Sequence, residues 1–423
     1  MHQEVAAGEA VPQTEARWLL AVLIGLAFTF NTVGRGIPET FAVFLLPVEQ
    51  AFGATRSDTT LTYSIFMAVT GIAAPIAGQL VDRFGARTTY GAGLTLLGGG
   101  YMLAGNAASL SVYYVGAGCM AGLGAACLGM VVGTSLMSRW FSRRVGAAMA
   151  VPYAAIGFGA LVMPPFAHYL MSISDWRIAH MVLGAIALCF LPLIFLLPLA
   201  RLTRGSDAWR ATRQQSVARG EELWSVRRAL ATPAFWSLFA VYFWTAVAAY
   251  SVLPHSVAYL VEQGFDEAFA AYAFGFTGAL STVGIIAMGL VSDRVGRLWS
   301  VLGSYLITAA GIAALIAIMW QPAVALIVVF VVAFGGMQGV RGPVIAALVA
   351  ILYRGGAVGS IFGTLSLALG SGAALGSWAS GALHDATGDY LASFALAIGA
   401  CVLGAVSYAG SGSLRRERLG VPA

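Results

Sequence analysis

Three charged side chains in this sequence stand inside long apolar runs, where a charge is costly enough that function is the default reading. Arg35 and Glu39 lie one helical turn apart in the run 18–45, with Arg35 about 17 residues in, or roughly 25 Å of helix. Arg341 lies in Gly335-Gly-Met-Gln338-Gly-Val-Arg341-Gly-Pro343, near the centre of the run 323–350. A guanidinium pairs bidentately with a carboxylate and keeps its charge at any physiological pH. Two arginines against one acid leave a positive charge over, which attracts an anion. For Arg341, pairing with backbone carbonyls competes with that role. For Arg35, a local ion pair with Glu39 competes with direct contact to an anion. Glu39 could instead be a protonatable group, its charge compensated when the site is empty. His255 titrates in the useful range, yet a lone histidine beside Pro254 at the end of an apolar run is more often packed than functional. Asn31, Tyr153, Tyr242 and Gln338 add hydrogen-bonding groups in such runs, and each is also explained by ordinary packing. No catalytic triad, zinc-ligand cluster, phosphate loop or dinucleotide fingerprint is present, so no enzyme, metal or cofactor is expected.

The elements that must hold these residues are apolar helices. Hydrophobic residues make up 59% of the chain and charged residues 10%, against roughly 25% charged in a soluble domain. So large an excess calls for lipid as solvent. Twelve runs long enough to cross a bilayer fall at 18–45, 60–81, 89–108, 112–137, 147–170 and 178–199, then 234–260, 268–291, 299–319, 323–350, 357–383 and 391–410. The fold class expected is all-α: two bundles of six helices, 18–199 and 233–410, with a central loop 200–232 and tails 1–17 and 411–423. The first apolar run is too long for a cleaved signal and is read as a retained span.

All 23 basic residues are arginine. Nineteen of them fall in the tails, the central loop and the loops on one side, whereas only Arg56 and Arg177 fall on the other. A bacterial-type inner membrane is the expected location, and the positive-inside rule then puts both termini and the central loop in the cytoplasm. It also explains the net charge of +5 without nucleic acid. Cys119, Cys127, Cys189 and Cys401 sit in apolar runs without ligand spacing and read as small hydrophobes. Residues 221–230 suit a short helix at the cytoplasmic interface, or equally a tether. Glycines recur through spans 4 and 11 at spacings that let helix backbones approach closely.

One stretch occurs twice. Gly78-Gln-Leu-Val-Asp82-Arg83-Phe-Gly85-Ala-Arg87 follows span 2, and Gly289-Leu-Val-Ser-Asp293-Arg294-Val-Gly296-Arg297 follows span 8. The two aspartates are 293 − 82 = 211 positions apart, half the chain. Topological arginines plus a tight turn would account for one copy but not for two.

With this motif and twelve spans the chain resembles the major facilitator superfamily of secondary transporters over nearly its whole length. Within it, the chain looks most like the monocarboxylate-transporter group and its bacterial relatives, including oxalate/formate-type exchangers. Phe41-Ala-Val-Phe44 through Phe52-Gly53-Ala-Thr-Arg56-Ser57, Arg139-Trp140-Phe141, Asp175-Trp176-Arg177 and His255-Ser-Val-Ala-Tyr259 carry the narrower likeness. The resemblance implies a cavity between the halves lined by spans 1, 4, 7 and 10, across which Arg35 and Arg341 face each other. It also makes the repeated loops a latch, with Gly78, Asp82, Arg83, Gly85 and Arg87, and Gly289, Asp293, Arg294, Gly296 and Arg297, biasing one orientation of the carrier. Departures matter too. The group's acidic–arginine pair of span 8 is missing between Ala268 and Val291, its span 1 lysine falls on Glu39, and the exchanger lysine of span 11 has no counterpart.

The expectation is a monomeric secondary transporter in the lipid bilayer that carries a small organic anion, a carboxylate, by alternating access, coupled to protons or by exchange. Arg341, Arg35, Gln338, Asn31, Tyr153 and Tyr242 are the expected substrate contacts, with Glu39 and His255 the candidates for proton coupling. An exporter of hydrophobic or cationic compounds on the same fold is the rival, and a non-transporting ligand sensor is the rival of another class. The surplus arginine argues against the first. A longest polar segment too short for a signalling domain argues against the second.

Overall fold

The computed structural model describes residues 13–140, 145–205, 224–353 and 358–410. Among them every regular element is a helix. Helix is what a chain in lipid must form, because each backbone N–H and C=O is then satisfied within its own segment. Among the described residues, ten stretches are long and apolar enough to cross a bilayer. The other two spans are the third, which continues from the second in one helix, Arg56–Gly105, and the tenth, which is broken. Large side chains such as Ile72, Ile76, Phe195, Leu196, Leu306 and Val406 point outward and are more than half exposed. A lipid shell covers that belt.

The four spans at equivalent places in the two halves are all interrupted. The first changes course at Thr40, between Gln13–Glu39 and Phe41–Phe52. The seventh does so after Tyr250, through the short turn Leu253–His255, before resuming at Ser256–Glu262. In the fourth, Gly129 is extended between Ala121–Leu128 and Met130–Trp140. In the tenth, a turn over 338–340 separates Val331–Gly335 from Arg341–Leu352. These breaks keep the spacing of the repeated loop: 40 + 211 = 251 and 129 + 211 = 340. The loop glycines obey it as well. Gly85 and Gly296, also 211 apart, both have positive φ, 83° and 88°, a backbone that L side chains resist. At Gly85 this bends the long helix, and the hydroxyl of Thr203 accepts the N–H of Ala86 at 3.0 Å.

Small residues set the contacts between halves. A Cβ on Gly71 of the second span would lie 2.9 Å from the Cα of Gly370 on the eleventh, so the two helices cross with their backbones touching. Gly157 of the fifth span meets Gly278 and Thr282 of the eighth in the same way. The glycines of the eleventh span serve two neighbours, since Gly372 and Gly376 pack on the carbonyls of Phe243 and Val247 in the seventh. Most of the central loop lies outside the described residues. The short helix at its end is Val226–Leu230, capped by Ser225, and Trp224 meets the Tyr353 ring edge-on at 5.2 Å.

Candidate functional site

Between the halves lies a cavity of about 250 Å³. Eight spans line it, not only the first, fourth, seventh and tenth, because residues of the second, fifth, eighth and eleventh reach it too. The lining is mostly apolar and runs from mid-molecule toward the arginine-rich face, through residues 67–74, 125–131, 338–345 and 362–370. In the other direction it stops at Glu39, Tyr250 and Leu253. Among the described residues, its only charged lining residues are Arg35, Glu39 and Arg341. With Glu39 ionised in its ion pair, two guanidiniums and one carboxylate give the cavity a net charge of +1.

Arg35 and Glu39 do form the i,i+4 pair, with Nη2 2.8 Å from Oε1. The pair is not self-contained. The same Nη2 donates to the hydroxyl of Tyr250 on the seventh span at 2.8 Å, so the two halves are joined here. The other carboxylate oxygen of Glu39 accepts the hydroxyl of Tyr63 at 3.1 Å. Among the described residues, Arg35 Nη1 reaches only the sulfur of Met67, at 3.5 Å. Tyr63 and Tyr250 lie with ring centres 6.0 Å apart. Chain position alone could not single out Tyr250; its role follows from the break after it, which turns the seventh span across the end of the cavity.

Arg341 lines the same cavity but its head group turns to the ninth span. Nε donates to Ser304 Oγ at 3.0 Å, and Nη2 donates to the Ser304 carbonyl at 3.0 Å and to Thr308 Oγ1 at 2.5 Å. The guanidinium sits 4.0 Å from the Tyr305 ring centre. Ser304 and Thr308, spaced i,i+4 around Tyr305 in an apolar span, were the sequence signal for this berth. Arg341 therefore does not face Arg35 as a free fork, although its charge stays at the cavity wall.

Gln338 is in the turn of the tenth span, on the cavity, and its buried Oε1 has no hydrogen-bond partner among the described residues. Its carbonyl accepts Ser281 Oγ at 2.7 Å. Asn31 is buried on the cavity, and the Tyr242 hydroxyl reaches the Gly342 carbonyl at 3.5 Å. The side chain of Tyr153 lies outside the described residues, as do those of Asp82, Asp293, Arg294 and Arg297, and Gly289 likewise. Of the repeated loop, a Cβ on Gly78 would lie 3.3 Å from Val131 Cγ1, while Arg83 and Arg87 are exposed.

His255 is not on the cavity. It is wholly buried in a polar seal on the arginine-poor face, its Nε2 paired with the Ser377 carbonyl at 3.0 Å and its Nδ1 3.4 Å from the Tyr390 hydroxyl. The hub of that seal is Arg56, which the sequence marks only as one of two arginines on that side. Its Nε meets Glu49 at 2.5 Å, its Nη2 meets Glu262 of the other half at 2.7 Å, and its Nη1 donates to the Tyr390 hydroxyl. Asp385 of the eleventh span accepts the backbone N–H groups of Arg56 and Ser57 at 3.0 and 2.8 Å. The start of the second span is thus capped by the opposite half. The molecule is closed on this face.

Residues 18–337 match the Major Facilitator Superfamily. The chain belongs to that family: it is a multi-pass membrane transporter with twelve helices in two six-helix bundles, not an enzyme. It is similar to monocarboxylate transporter 13 of Rattus norvegicus, 27% identical over 92% of this chain and 86% of the relative. Monocarboxylate transporter 11 of Homo sapiens is 28% identical over 92% and 82% of the two chains. Among solved structures, the proton:xylose symporter XylE bound to 6-bromo-6-deoxy-D-glucose superposes with a TM-score of 0.72 at 14% identity, over 93% of this chain and 96% of the other. That last likeness is one of fold.

Proposed function

We propose that this transporter carries a small organic anion, a carboxylate, by alternating access between two faces of a bacterial-type inner membrane, with the arginine-rich loops and termini in the cytoplasm. The observation that carries the reading is the net positive charge of an otherwise apolar cavity. An anion entering it gains a partner there, whereas a cation meets uncompensated arginine. The names of the relatives, monocarboxylate transporters, agree in the class of cargo. Gradient energy enters by proton symport or by exchange, with Glu39 as the group that takes the proton. Its carboxylate is neutralised by Arg35 in the empty state, and a substrate carboxylate that shares Arg35 adds a second negative charge beside Glu39, which favours its protonation.

Counterflow in proteoliposomes against mono-, di- and aromatic carboxylates tests the reading. The wild type should exchange at least one carboxylate. Arg35→Gln should weaken it by about 30-fold or more, the loss typical of removing one member of a buried charge contact. Arg341→Gln should weaken it less while lowering Tm, since it leaves Ser304 and Thr308 without their donor. Anion exchange that is absent from the wild type, or unchanged in both variants, refutes the anion site.

A further inference from the structure

Two donors from opposite halves meet at the closed end of the cavity and are not spent on protein. One is Arg35 Nη1, which among the described residues reaches only the thioether sulfur of Met67 at 3.5 Å, a poor acceptor. The other is the hydroxyl hydrogen of Tyr250. The Tyr250 oxygen accepts Arg35 Nη2 at 2.8 Å, but among the described residues no acceptor takes the hydrogen. Both residues line the cavity, and both side chains are largely buried. Tyr63, close by, is different, because its hydroxyl is committed to Glu39.

We infer that Tyr250 is a substrate-binding residue that donates its hydroxyl hydrogen to the carboxylate held by Arg35, so that one anion is gripped by both halves at once. The inference rests on the anion reading above and adds a ligand from the other half. A carboxylate offers two oxygens with room for about four hydrogen bonds. One can accept Arg35 Nη1 and the other the Tyr250 hydroxyl, while Glu39 keeps Arg35 Nη2. Nothing has to be broken in the empty site for this to happen. The arrangement also gives the cargo a mechanical effect. Arg35 stands just before the break of the first span and Tyr250 just before that of the seventh. An anion bridging them ties together the two helices that must move apart when the arginine-poor face opens.

The test is carboxylate counterflow by three forms of the full-length protein: wild type, Tyr250→Phe, and the protein with 3-fluorotyrosine in place of Tyr250. The phenylalanine form should raise KM by about tenfold or more, the loss expected for one hydrogen bond to a charged acceptor, with Tm of the substrate-free protein kept within a few degrees. Fluorine then separates the two roles of the hydroxyl. It makes the phenol a better donor and a poorer acceptor, so donation to substrate predicts a KM below the wild-type value at a pH where the phenol stays neutral. A hydroxyl that serves only to accept from Arg35 predicts a KM above it. An unchanged KM in Tyr250→Phe, or a raised KM on fluorination, overturns the inference while leaving the anion site standing. Failure of the wild type to exchange any carboxylate overturns both.

Discussion

Arg35 and Arg341 are chemically the same side chain in the same cavity, yet their surroundings give them different work. Arg341 has three hydrogen bonds to the ninth span and an aromatic face beneath it, so its Nε and Nη2 are spent where it rests. Arg35 has an acid, a tyrosine and a sulfur, and retains donor capacity toward the cavity. A buried arginine is worth most to a ligand when its field is intact and its fork is open. Glu39 completes the set by balancing Arg35 without consuming it. Glu39→Gln removes the exchangeable proton and keeps the shape. It should abolish uptake driven by an inward proton gradient while carboxylate exchange at equal pH continues; uptake into proteoliposomes with and without the gradient measures both. Unchanged gradient-driven uptake would remove Glu39 from the coupling scheme. Both arginines and the acid could be read from the sequence as charges stranded in apolar runs. Their partners could not, because a tyrosine 215 positions away carries no local mark of the contact.

At the scale of elements, the breaks matter more than the helices. A span without a break presents side chains to the cavity but no change of direction. The interrupted first, fourth, seventh and tenth spans place Glu39, Gly129, Tyr250 and Gln338 on or beside their turns. The breaks fall at one repeat distance in the two halves, as expected of a chain built from two copies of one bundle. Smooth crossings allow those bundles to approach. At Gly71 and Gly370 a larger side chain has no flexible neighbour to push aside, only backbone. Gly71→Val should therefore hold the second and eleventh spans apart and hinder closure of the arginine-poor face, cutting exchange by about tenfold or more for a bias of some 1.4 kcal/mol. Gly399→Val, where a Cβ meets nothing within 4 Å, is the matched control and should exchange normally. Equal rates for the two variants would show that the crossing does not limit closure.

For the whole molecule, the state seen here is set by the seal on the arginine-poor face. Arg56 is 4% exposed and meets two carboxylates and a phenol, while Asp385 caps the helix that Arg56 begins. Removing one member of such a buried set costs about 3 kcal/mol, enough to move a two-state ratio by roughly 100-fold. Arg56→Gln should accordingly populate the form open on that face. The readout is a cysteine introduced at Thr70, on the cavity, in a background free of native cysteines. A membrane-impermeant maleimide added from the arginine-poor side should label it faster in the variant by about tenfold or more. The same rate as in the parent would mean that the glycine crossings, and not Arg56, hold the face shut.

By itself the sequence determines the solvent, the number and order of spans, the division into two like halves and the residues whose charge needs a reason. Those properties are sums over local composition and spacing, and lipid enforces them segment by segment. Only the tertiary structure decides which charges remain available. The packing of helices within the second half turns Arg341 onto the ninth span, and the approach of the two halves brings Tyr250 to Arg35 and gathers Glu49, Glu262, Tyr390 and Asp385 around Arg56. A hydrogen bond needs donor and acceptor about 3 Å apart, and for residues half a chain away that distance is a property of packing alone.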